Sequence, residues 1–235
     1  MAITLNVIAT NSANAHPLPI NPGATLHDVL IAGVVTDSSG DGNPYAATSF
    51  DQLVLQHTTA DSQDLAVLRK KDASGSEGSL DITNNIAAEM IGFIMSLTGA
   101  DNTTPEDVAS TVANNNTADA SPWTIDTSIT PVTDGCMIVA VMGSDTTSAS
   151  TPVVHTFATT VGTTGAWTVR ADLGTGFRKI SVATAIQTIA GAITVRGTGT
   201  LAAVSAGRSM ALLAIRPAAV AGGLKGNLAL LGVGQ

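Results

Sequence analysis

The chain has 235 residues, of which 44% are hydrophobic, only 3% aromatic and 12% charged, against about 25% charged in an average soluble domain. Ala, Val, Ile and Leu must therefore build the core, while Thr, Ser, Asn and Gly supply exposed strands and turns. A net charge of −8 with a pI near 4.7 argues against nucleic acid or an anionic membrane as partner.

In chain order, residues 3–10 (ITLNVIAT) alternate apolar and polar and predict a strand, followed by a loop over 11–22 with three prolines. Residues 28–36 form a run dense in β-branched residues, closed by the turn-rich 37–43, and predict a strand buried on both faces. Residues 52–57 and 65–71 predict two more strands, 72–78 a turn, 80–83 a short strand and 88–97 a long apolar strand, a helix being possible at that length. Residues 99–124 are rich in Asn, Thr, Asp and Ala. They predict a surface loop, with a helical turn over 105–112 that Thr104 could cap.

The same grammar then returns. Strands are predicted at 137–142, 153–158, 166–171, 180–189, 192–196 and 210–215, and three pairs of segments align in order: LAVLRKK with KISVATA, SLDIT with AITVR, and EMIGFIMSL with SMALLAIRP. A repeat of roughly 110–120 residues is too long for a solenoid unit. It predicts an all-β, antiparallel β-sandwich over 1–218 built from two pseudo-repeated halves, about 1–99 and 125–218, joined by loop 100–124. The halves either interleave in one sandwich or stack as two small ones. The expected core comprises Val29, Leu30, Ile31, Val34, Leu65, Val67, Met90, Ile91, Ile94, Ile138, Val139, Val141, Leu212 and Ile215.

Few residues suggest chemistry. His16, His27, His57 and His155 lie apart from one another and from Cys136, so neither a metal site nor a cofactor is expected. Residues 37–43 lack the alternating acids and distal Glu of a calcium loop. Gly174-Thr175-Gly176 and Gly197-Thr198-Gly199 read as turns between strands, since neither opens a helix as a phosphate cradle would. Nothing singles out Glu77 and Glu89 as a catalytic pair, so no catalytic residue is assigned. The lone Cys136 reads as a small core residue. No signal peptide is expected, and no apolar stretch approaches the roughly 18 residues of a membrane span.

Charge is unevenly placed along the chain. Residues 1–160 carry three cations against seventeen acids, a net charge of −14, whereas 161–235 carry seven against one, a net charge of +6. Either this is the accident of a charge-poor chain, or it marks two surfaces of opposite sign that meet on neighbouring copies. Residues 219–235 form a Gly- and Ala-rich C-terminal arm whose Leu224, Lys225, Leu228, Leu230 and Leu231 are the expected assembly contacts. Its glycines disfavour a helix by roughly 1 kcal/mol each. It therefore reads as an extended arm laid on a neighbouring subunit, or folded back on its own domain.

The order of these signals resembles a family of tailed-bacteriophage virion proteins with a jelly-roll-like β-sandwich. The resemblance rests on Asp28–Val34 (DVLIAGV), Leu65–Ser79 (LAVLRKKDASGSEGS), Leu97–Asp101 (LTGAD) with Pro105-Glu106-Asp107, Asp134–Ala140 (DGCMIVA) and Leu212–Ala218 (LLAIRPA), spanning about residues 20–218. It departs where the family often has an aromatic PPSGW-type turn, for here Ser49-Phe50-Asp51 stands. The resemblance implies a structural role on the virion: a capsid decoration (cement) protein bound to the major capsid protein at the head surface. The alternative is a tail fibre or baseplate component, with or without host-glycan binding; a depolymerase is disfavoured. A symmetric homo-oligomer, a trimer, is expected from the weakly charged strand faces.

Overall fold

The computed structural model describes residues 2–13, 17–37, 45–58, 63–75, 77, 80–83, 89–116, 121–146, 154–175, 177–200 and 205–219. Among them are fifteen strands and no helix: β1 (Thr4–Ala13), β2 (Leu18–Ile20), β3 (Val29–Asp37), β4 (Asp51–Thr58), β5 (Gln63–Lys70), β6 (Leu80–Ile82), β7 (Met90–Thr98), β8 (Thr111–Asn115), β9 (Trp123–Ile129), β10 (Cys136–Thr146), β11 (Val154–Val161), β12 (Thr168–Thr175), β13 (Arg178–Gln187), β14 (Ile193–Thr200) and β15 (Ser205–Ile215). The protein is an antiparallel, sandwich-like all-β fold.

Two five-stranded sheets form its centre, ordered β1-β7-β3-β5-β4 and β8-β15-β10-β13-β12. Strand for strand, the second order repeats the first. The outer sheets repeat as well: β2 pairs with β6 as β9 pairs with β14, and the bridge Ala46–Thr83 stands where β11 joins β14. In the second half β8-β15-β10-β13 faces β9-β14-β11, the strand order of a jelly roll, with β12 joined to the edge of the larger sheet. The repeat read from the sequence is thus a tandem of two jelly rolls.

The rolls pack through their five-stranded sheets. The core between these sheets holds Ile31, Val35, Phe93 and Met95 from one half and Val139, Val141, Val182 and Leu213 from the other. A second core lies outside the first sheet under β2 and β6, and a third lies outside the second sheet under β9 and β14. Both central sheets are therefore covered on both faces, which is why their strands read as continuous apolar runs. All fourteen residues expected in the core are buried.

The strands β7 and β15 end side by side, their following residues joined by the Ala100–Pro217 bridge, so the halves run the same way. Laterally β1 lies against β12 and β4 against β8. Equal strand direction with reversed lateral order is a pseudo-two-fold axis along the strands, an isologous interface within one chain.

Four local expectations differ. The loop expected over 11–22 instead carries the end of β1 and all of β2. Where a helical turn was expected over 105–112, the chain runs extended into β8: Arg216 N donates to Pro105 O at 2.7 Å, and Asp107 N to Ala214 O at 2.9 Å. Strand β9 was not foreseen, although its burial alternates residue by residue. Gly197 and Gly199 belong to β14 and not to a turn. The Trp123 ring lies where a Cβ on Gly199 would stand 2.1 Å away, and the Met142 sulfur 2.5 Å from one on Gly197. These glycines let a flat strand pass beneath large core side chains.

The charge split also changes meaning. Divided where the halves divide, residues 1–104 carry three cations against eleven acids, a net charge of −8, while 105–235 carry seven of each. Acids before 160 meet cations after it within the chain, as in Arg178–Asp145, Arg196–Asp126 and Arg216–Asp107.

Candidate functional site

The pseudo-two-fold axis lets each polar site be compared with its counterpart. Ile31 of β3 stands opposite Arg69 and Met95, and Val139 of β10 stands opposite Thr184 and Leu213. Ile31 therefore corresponds to Val139, Arg69 to Thr184, Thr36 to Ser144 and Asp64 to Lys179.

At one end of each roll, a central-strand hydroxyl bonds a ring from the outer layer. In the first half the Thr36 hydroxyl meets the Tyr45 hydroxyl, which reaches Asp64 Oδ2 at 3.3 Å; Asp64 Oδ1 lies 2.6 Å from His57 Nδ1. In the second, Ser144 Oγ lies 2.9 Å from His155 Nε2, and His155 Nδ1 lies 2.7 Å from Ser181 Oγ, whose hydroxyl donates to Asp172. A serine, a histidine and an aspartate in series have the composition of a hydrolase relay. Ser144 is fully buried, however, and His155 is 2% exposed with its ring edge-on to Trp123 at 5.6 Å. Burial pushes the His155 imidazole down to about 3, so it is a neutral hydrogen-bond hub at neutral pH. Its geometry cross-links β10, β11, β12 and β13. Sequence reasoning missed it, because residues 144, 155, 172 and 181 form no recognisable spacing.

At the opposite end, carboxylates tie loops to strands. Asp28 Oδ2 accepts from Thr25 Oγ1 at 2.6 Å, from Asn6 Nδ2 at 3.0 Å and from the Ser96 hydroxyl, while Oδ1 accepts from Thr98 Oγ1 at 2.8 Å. Burial raises the Asp28 carboxyl, but these bonds outweigh it and hold it below the ordinary carboxylate range. Asp107 serves the second half, accepting from Val132 N and from Thr133 N at 3.0 Å, and is likewise held low against its burial. Cys136, beside Asp107, is buried, and burial chiefly pushes its thiol up to about 12. Lys70 Nζ binds both oxygens of Glu77 at 2.7–2.8 Å, which engages that acid in an ion pair.

This end also carries the three most exposed large apolar side chains of the described residues. Residues 2 and 3 enter β1 here, and Ala218 leaves here, its N–H held by Gly99 O at 2.8 Å. Beside them Ile189 (74% exposed), Val132 (71%) and Leu26 (60%) stand on loops. The expected contacts Leu224, Lys225, Leu228, Leu230 and Leu231 lie outside the described residues, as do His16 and the turn residues 38–43.

The edge between the halves is open on one side of the axis and closed on the other. On the closed side, Arg69 of β5 donates to Asp51 of β4 and, at 2.7 Å, to Glu106; the Arg69 side chain is 6% exposed. Register places Thr184 at the counterpart of Arg69, Thr168 at that of Asp51, and Leu5 at that of Glu106. There the smaller residues leave a groove of about 380 Å³. Arg170 borders it from a bulge in β12, its Nε donating to Thr184 Oγ1 at 2.8 Å. Among the described residues no three His, Cys, Asp or Glu are placed to hold a metal ion.

No family model matches the chain, and no curated protein or solved structure matches it.

Proposed function

We propose that this chain is a structural protein of a tailed-bacteriophage virion, a decoration protein that binds the major capsid protein at the head surface and performs no catalysis. The observation that carries this reading is the tandem jelly roll itself, an architecture that viral capsid domains share with lectins and cupins. It joins the sequence resemblance over residues 20–218. Two further features support an assembly role. The polar hub most like an active site is sealed in the interior, and one end of the sandwich gathers exposed Leu26, Val132 and Ile189 beside the point where the C-terminal arm departs. Protein partners are taken at that end, by apolar contact and by the arm, within a homo-oligomer, a trimer.

Fold alone does not carry function, so the test is made on particles. Purified protein is mixed with phage heads lacking it and sedimented. Saturable co-sedimentation that is lost on deleting residues 219–235, with an unchanged melting temperature, is the expected result. Normal decoration by the truncated protein would refute the role of the arm, and no association of the full chain with heads would refute the decoration reading. The second reading, a tail component that binds a host glycan, is favoured by the half-buried Phe157 and Trp167, whose rings stack 6.1 Å apart.

A further inference from the structure

We propose that the groove beside Arg170 is a docking site for an extended segment of a partner protein that places an acidic side chain on the Arg170 guanidinium. The inference stands on the groove alone and does not require the virion reading.

The first ground is charge. In the other half the corresponding space is filled by an arginine clamped between two carboxylates, Asp51 and Glu106. In the groove, Thr168 and Leu5 replace those acids, and no carboxylate of the described residues lies within ion-pair distance of Arg170. Its Nε is engaged by Thr184, which orients the fork and leaves the two Nη groups for a ligand. A half-buried guanidinium held in this way is a bidentate carboxylate receptor.

The second ground is the shape of the surroundings. The groove runs between β1 and β12, the outermost strands of their sheets on this side of the molecule. Both offer unpaired backbone groups to an added strand, and the bulge between Val169 and Ala171 turns the Arg170 side chain toward the space between them. Leu5 and Met137 give an apolar floor. A peptide adding to either edge would use main-chain hydrogen bonds for affinity and its alternate side chains for selectivity.

The probe is the acidic segment that this chain itself sets against buried Arg69 from the other half, residues 103–109 (TTPEDVA), as an acetylated and amidated peptide. It is titrated into isotopically labelled full-length protein by NMR. The amides of Leu5, Thr168, Arg170 and Thr184 should shift together. Binding should weaken roughly tenfold for a twin peptide with Gln and Asn in place of its acids, and by a similar factor for Arg170→Gln, the loss of one charge-assisted pair. Arg170→Lys, which keeps the charge without the fork, should recover part of it, and both variants should melt like the parent. Shifts elsewhere, none at millimolar peptide, or equal binding by Arg170→Gln would overturn the site. Equal shifts with free acetate would make it a site for small carboxylates and overturn the extended segment. The same shifts on concentrating the protein alone would make a second copy the occupant and overturn the partner protein.

Discussion

The two halves share a strand order but not a polar interior. Tyr45 and His155 occupy matching places, each bonded to the hydroxyl of the central strand, Thr36 or Ser144. One network runs on to Asp64 and His57, the other to Ser181 and Asp172. Likewise the Arg69 ion cluster on one side of the axis faces an open groove on the other. Positions facing the shared core stay apolar or become glycine and trade volume across the axis: Ile31 answers Val139 and Met95 answers Leu213, while Gly33 beside Phe93 answers Val141 beside Ala211, because a change of volume there is felt by both sheets at once. Polar positions inside each roll need only be satisfied, and several chemistries satisfy them. The repeat therefore preserves strand order and an apolar core and frees chemistry.

The largest effect is expected where the halves agree. Ile31→Asp or Val139→Asp would bury an unpaired charge in the shared core and should cost several kcal/mol, roughly 3–5, read as loss of a cooperative thermal transition. If either variant melts like the parent, the shared core is wrong. Breaking the closed side comes next. Arg69→Met strands Glu106, 21% exposed, and should cost about 1–3 kcal/mol in urea unfolding. Thr184→Val on the open side should cost less, because the released Arg170 can still reach water.

A comparable loss is expected at Gly199→Ala, whose Cβ would meet the Trp123 ring, at about 1–3 kcal/mol. Gly174→Ala meets nothing closer than 3.4 Å and should be nearly neutral in the same unfolding experiment.

The hubs differ in how they answer pH. The His155 pKa in the folded protein, about 3, lies below the ordinary 6.5, so the unfolded chain takes up its proton first as pH falls. Stability is full above 6.5 and is lost between 6.5 and 3, with a limiting slope of about 1.4 kcal/mol per pH unit. A His155→Asn variant should be less stable at neutral pH but flatter across that window. Asp28 is also held low, so its contribution is present above the unfolded value near 3.8 and lost as pH falls through the folded one. Asp28→Asn should flatten only the acid limb, below about pH 4. Melting temperatures across pH 3–7 separate the two.

What could be read in the sequence follows the same division. The strands of the shared core were legible because burial on both faces writes continuous apolar runs, and the repeat was legible because those runs recur in the same order in both halves. Strand β9 was hidden although it alternates, since its flanks 116–122 look like loop and Trp123 is its only bulky aromatic. Gly197 and Gly199 read as a turn in the sequence because the side chains that need their space, Met142 and Trp123, lie far back in the chain. The groove was invisible for a related reason. It depends on Leu5, Thr168 and Thr184 being small or neutral at places where Glu106, Asp51 and Arg69 stand across the axis, and that comparison exists only once register is known. The assembly contacts expected in the arm rest on sequence alone.

Cryo-electron microscopy of intact virions tests the proposed role most directly. We expect density for a tandem of two jelly rolls on the outside of the head, repeated with capsid symmetry, with the end bearing Leu26, Val132 and Ile189 turned toward the major capsid protein. Density for this fold on the tail or baseplate, or none on the particle, would contradict it.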